Sequence, residues 1–203
     1  MKLPTTAYHV TLMMLGSLLL LSACAEAPSD TDSVAVAAAQ ARVEASIDGL
    51  DVLRSSLARQ VDDPEQVDRT TFVQVCQPVG QRARTLAQQN GWTVQQLAKR
   101  NRNPAHTLDD EAQAVHDRFA ENPSLKRVWH EDAVLNGISG HRFFQRITVE
   151  ETCLACHGAK ADRPNFVKDG YPDDRAYGFE TGDLRGLYAV FVPDSLLARA
   201  STP

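Results

Sequence analysis

Cys153-Leu154-Ala155-Cys156-His157 sets two thiols three residues apart, with an imidazole directly after the second. On a tight turn, both sulfurs reach the edge of one planar group while the ring points at its centre. This is the attachment signal of c-type haem, in which each thiol adds to one vinyl group and the adjacent His meets the iron on the proximal side. The motif occurs once, so one covalent haem c is expected, bound through Cys153 and Cys156 and ligated by His157. A structural zinc site wants a second ligand pair at similar spacing, and the chain has none. A thioredoxin-like redox pair, or a plain disulfide, is the other reading; the former follows a strand in a βαβ setting that the flanking pattern does not supply.

The start of the chain bears on where such a group is attached. Lys2 precedes an apolar run from Val10 to Leu21, followed by small residues. That is an export signal, since a run this short does not cross a bilayer, which needs about 20 apolar residues. Leu21-Ser22-Ala23-Cys24 resembles a bacterial lipobox, with Cys24 the lipid-modified first residue of the mature chain. A plain secretory signal with an incidental Cys is the alternative, and both export the protein. Residues 1–23 are thus read as signal peptide, 24–33 as a flexible tether and 34–203 as one domain. The resemblance to lipoproteins implies, from Ala25 and not Asp after the Cys, anchoring in the outer membrane where the cell has one, on the periplasmic side of the envelope. Export agrees with c-type attachment, which takes place outside the cytoplasm.

With 43% hydrophobic and 23% charged residues, the chain can bury one core. A net charge of −5 and the lack of any Lys/Arg run exclude a nucleic-acid footprint.

Apolar residues at three- and four-residue steps (Val43, Ile47, Leu50, Leu53, Leu57, Val61) predict a helix from Val34 to about Val61, capped by Asp32 or Ser33. A second helix is predicted from about Asp68 to Gln89, with Phe72, Val75, Cys76, Val79, Ala83 and Leu86 on one face and Pro78 kinking or restarting it. Residues 92–99 read equally as a strand or a helical turn. Thr107 and Asp110 resemble a capping box opening a third helix with Ala112, Val115 and Phe119 inward. Strands are expected at 127–135, 141–149 and 184–192, the first two joined through residues 136–140, with residues 162–182 mostly loop. Helices first and an antiparallel sheet later make an α+β fold.

The second face of the iron has few candidates. All three Met lie in the first 14 residues, so the cleaved chain has no Met to offer. Cys76 has no Cys partner left once Cys24, Cys153 and Cys156 are assigned. It is either a ligand or, like most free Cys, a small buried hydrophobe. His106, His116, His130 and His141 remain weaker candidates, with His116 solvent-facing on the third helix; water or an empty position completes the set.

The chain resembles a family of exported c-type haem proteins with a PAS-like fold, found alone or as sensing parts of membrane signalling proteins. The resemblance is carried by Val75-Cys76, Gly91-Trp92, Arg102-Asn103-Pro104, the motif with Gly158, the segment from Tyr171 to Gly178, and Gly182-Asp183-Leu184-Arg185-Gly186. It implies a five-stranded antiparallel sheet with long N-terminal helices packed on it. It also implies Cys76 and His157 as the axial pair on the iron. Redox or small-ligand sensing through an unidentified protein redox or signalling partner is the expected role, with a low-potential electron carrier as the alternative. No enzyme is expected: His141-Arg142 is too unspecific a pair to stand for an acid/base and a charge stabiliser.

Overall fold

A computed structural model describes residues 30–61, 63 and 66–199 of the protein. Cys24 and the signal segment lie outside the described residues. Helix α1 (Asp30–Ala58) begins earlier than the apolar pattern predicts, within the stretch read as tether. Its stripe extends upstream through Ala35 and Ala39, which are small enough to lie buried against the core but too weak to mark a boundary in sequence.

Helix α2 (Arg69–Asn90) falls where the sequence places it. Asp68 accepts the Thr71 N–H at 2.9 Å, and Thr71 Oγ1 accepts the Asp68 N–H at 3.3 Å, a reciprocal cap. Gly91 closes the helix at φ 71°, a left-handed position that suits glycine. Of the two effects expected of Pro78, a kink or a restart, the helix does not restart there but runs on as one element. Val79, Ala83 and Leu86, all buried beyond it, hold the second half onto the core and offset the lost backbone hydrogen bond.

The undecided stretch forms strand β1 (Thr93–Leu97). A 3-10 turn (Pro104–His106) leads to helix α3 (Asp110–Glu121). Its N-cap is Asp109, which accepts the Ala112 N–H, and not Thr107. The Thr107 hydroxyl instead donates to the Pro104 carbonyl at 2.7 Å. Strands β2 (Arg127–Leu135) and β3 (Ile138–Thr148) meet in a two-residue turn, tighter than the expected loop. Asn136 and Gly137 both take positive φ, the geometry that matches strand twist.

A 3-10 turn (Glu151–Cys153) precedes the one-turn helix α4 (Leu154–His157). The stretch expected to be loop holds a short helix α5 (Asn165–Gly170). Strand β4 (Leu184–Pro193) and helix α6 (Asp194–Arg199) complete the described chain.

The strands form one antiparallel sheet in the order β1-β4-β3-β2. The α+β class with N-terminal helices packed on an antiparallel sheet is therefore as expected, but the described residues supply four strands, not five. Residues 30–90 go almost entirely into α1 and α2, leaving no strand before β1 among the described residues. Adjacent side chains point to opposite faces. Phe143 and Ile147 pack under α1 and α2 with Tyr188 and Val190, while Phe144, Leu187 and Ala189 pack under α3 with Val115 and Phe119. A third cluster (Val149, Ala176 and Phe179) lies beyond the end of the sheet and supports Cys153 and Leu154.

Candidate functional site

At that end of the sheet, a cavity of about 460 Å³ opens between the first half of α2 and α4. Cys153, Cys156 and His157 line one side; Phe72, Val75 and Cys76 line another. The motif residues and Cys76, far apart in sequence, thus share one space. Cys76 is exposed, not packed as a small core hydrophobe, because its helix face opens on the cavity there. Cys76, Cys153 and Cys156 are all free thiols.

His157 is held in one tautomer. Its Nδ1 lies 2.7 Å from the Ala176 carbonyl oxygen, which only accepts, so Nδ1 carries the proton and Nε2 keeps its lone pair. The Phe179 ring meets the imidazole edge-on at 6.1 Å. Burial, then the nearby Arg185 and Arg102 guanidinium groups, push its pKa well below the ordinary imidazole range. The ring is therefore neutral at neutral pH and ready to donate electrons to a metal.

A buried carboxylate underlies this arrangement. Asp174, whose side chain is wholly buried, receives Arg163 Nη1 at 2.8 Å, Arg102 Nε at 3.3 Å and the Ala176 N–H at 2.9 Å. Burial would raise the Asp174 carboxyl, but these donors hold it below the usual carboxylate range. Asp174 thereby fixes Ala176, and Ala176 fixes His157. Arg102 adds a second tie through Nη2, which donates to the Cys156 carbonyl at 2.8 Å.

The cavity is otherwise cationic and thiol-rich. Burial pushes the Cys156 thiol up to about 11, helped by Cys76. Cys76, open to the cavity but ringed by its walls, is likewise raised by the desolvating protein around it, against the pull of Arg102. Arg185 lines the cavity, and burial, with Arg102 beside it, draws its pKa down to about 10. Among the described residues, no carboxylate stands within ion-pair distance of Arg185. Arg54, on the same wall, is paired instead with Asp51 at 2.8 Å and Glu150 at 3.0 Å.

Of the four histidine candidates, only His106 shares this cavity. His130 binds Glu111 at 2.5 Å on the α3 side of the sheet. His141 stands beside Asp194 at 4.0 Å. His116, expected to face solvent, is 8% exposed, because α3 turns it inward beside Val115. Arg102, Asp174, Ala176 and Arg185 were not assigned roles in sequence. All four stand in segments that carry the family resemblance, which was the available signal.

Residues 31–193 match the Tll0287-like family. The chain belongs to the Tll0287-like family. Every segment that carries the resemblance lies inside the matched residues. Among solved structures, this Tll0287-like chain is similar to the crystal structure of the cyanobacterial haem protein Tll0287, at 41% identity and a TM-score of 0.67, over 76% of this chain and 94% of that one. A search of curated proteins gives no match. The expected kinship with haem proteins is therefore met at the level of the family.

Proposed function

We propose that this protein is an exported, lipid-anchored carrier of one covalent haem c, which senses redox state or a small ligand and reports it to a protein partner. In this reading Cys153 and Cys156 hold the haem, His157 and Cys76 are its axial ligands, and Cys24 bears the lipid. The observation that carries the reading is the single cavity into which α2 brings Cys76 opposite the motif.

The residues present fit the group. Apolar side chains such as Phe72 and Val75 suit a macrocycle, the two motif thiols lie together, and Nε2 of His157 is free for iron. Arg185, without a carboxylate of its own, suits the carboxylates of a haem edge. When bound, haem supplies an iron that takes up and gives back one electron. To serve as ligand, Cys76 must give up a proton that the desolvating cavity walls otherwise make it keep, and Arg102 and Arg185 favour the thiolate. Cys76 also sits on the half of α2 with no fully buried side chain, so moving it disturbs little packing. That favours a ligand that can be released, as a sensor needs, over a low-potential electron carrier that keeps both ligands.

The test uses protein made with haem-attachment machinery. Electron paramagnetic resonance of the ferric form should show low-spin iron with thiolate character, lost in Cys76→Ala. Haem should remain on the chain in a denaturing gel. A spectrum unchanged by Cys76→Ala would sink the Cys/His pair and turn attention to His106. Retention of the thiolate signature through reduction and reoxidation, with no binding of carbon monoxide, would favour the electron carrier.

A further inference from the structure

On the α3 side of the sheet, a second cavity of about 420 Å³ is lined by Lys99, Arg100, His116, Arg146, Asp183 and Arg185, among others. Arg146, on β3, is 8% exposed. One of its donors, Nη1, is spent on the Phe119 carbonyl at 2.6 Å, where it caps the end of α3. Among the described residues no carboxylate pairs with it. Burial alone acts on its guanidinium and lowers its pKa, with no neighbouring anion to oppose that pull. Four residues earlier on the same face, Arg142 is buried too but is held by Asp109 and Glu111 at 2.6 and 2.8 Å. Arg142 is neutralised by carboxylates and Arg146 is not, so the charge of Arg146 is left open to an anion from outside the protein.

His116 gives a second, independent sign. Its Nδ1 is sealed from solvent and makes no hydrogen bond; the nearest carboxylate, on half-exposed Asp117, stands 3.5 Å away. A buried ring nitrogen whose nearest acceptor is a half-exposed carboxylate at 3.5 Å is poorly satisfied and has room for a better partner. The other cations are only loosely matched. Lys99 lies 3.6 Å from Asp117, and Arg100 lies 3.7 Å from Asp183 while donating to the Tyr177 and Gly178 carbonyls. Arg185 donates to the Arg100 carbonyl. Four cationic side chains therefore face one lining carboxylate, Asp183.

We propose that this second cavity binds an oxoanion of the phosphate or sulfate class. Donors converge on it from β3, α3 and the segment after β1, a spread of directions that suits a tetrahedral anion with four acceptor oxygens. A planar carboxylate would satisfy fewer of them. Arg146 supplies the charge-assisted bonds, His116 supplies a neutral one and Lys99 closes the rim, while Arg185, assigned above to the haem edge, adds only its positive field from the shared wall. The site is distinct from the cavity that holds the motif, with Arg185 on the wall between them.

The experiment is isothermal titration calorimetry of inorganic phosphate into the haem-loaded protein, with sodium chloride at matched ionic strength as control. Saturable one-to-one binding is expected for phosphate and not for chloride. Arg146→Gln should weaken it about tenfold or more, and exposed Lys99→Gln about threefold. Because Arg146 also caps α3, Lys99→Gln is the variant that keeps the test clean: its melting temperature without phosphate should match wild type. Heats equal to those of chloride, or affinity indifferent to both variants, would overturn the proposal. Binding seen only in protein without haem would overturn it too, by giving these cations to the haem carboxylates.

Discussion

Beyond Pro78, α2 buries Ala83 and Leu86 beneath α1 and the sheet, with Val79 at the boundary between core and cavity; before it, the same helical face turns Phe72, Val75 and Cys76 toward an open cavity. The apolar stripe is continuous in sequence, yet its two halves meet different neighbours. One half holds the fold together and the other forms a wall. Apolar periodicity reports which face of a helix leaves water, but not whether protein or a ligand covers it.

Substitutions should separate the halves. Leu86→Ala removes a side chain that is 3% exposed and should cost about 3 kcal/mol in chemical denaturation, with the iron spectrum of folded protein unchanged. A loss below about 1 kcal/mol would show that the second half is not packed as described. Gly91→Ala, at φ 71° and with its new methyl 3.1 Å from Leu196 Cδ1, should cost about 1 kcal/mol, again without spectral change. Cys76→Ala should lie at the other extreme. It should change the fold stability of haem-free protein by less than about 0.5 kcal/mol and abolish the thiolate signature in haem-loaded protein. A large stability loss there would erase the contrast between the halves.

A finer test concerns the wall opposite Cys76. Asp174 binds its proton less tightly in the folded protein than in the unfolded chain. Its contribution is therefore complete above the ordinary carboxylate pKa, near pH 4, and is lost as pH falls through the lower folded value. Melting temperature should be flat from pH 7 to 5 and fall below 4, with Asp174→Asn flattening part of that fall. An identical acid profile in Asp174→Asn would show that other carboxylates carry it, Asp109 first among them.

The motif, both ends of α2, the three later strands and the inward residues of α3 could be read from the sequence, because each rests on local spacing or capping. What could not be read depended on distant parts of the chain. Thr107 and Asp109 are equally good caps by type, and only the fold of the 3-10 turn sends Thr107 to Pro104. His116 looks peripheral by its neighbours and is buried by the sheet beneath it. Nothing local in Asp174 or Ala176 points to an imidazole at position 157; that link passes through a turn made by tertiary contacts. The fifth strand came with the resemblance and has no counterpart among the described residues.

Helix α1 also acts as a ruler. Its 29 residues rise about 44 Å from end to end. Asp30 begins it, and Arg54 and Ala58, at its far end, line the cavity with the motif. The chain therefore enters the described fold a full helix length from the thiols. Under the lipid tether proposed above, that stand-off would hold the cavity mouth away from the anchoring surface and within reach of diffusing partners.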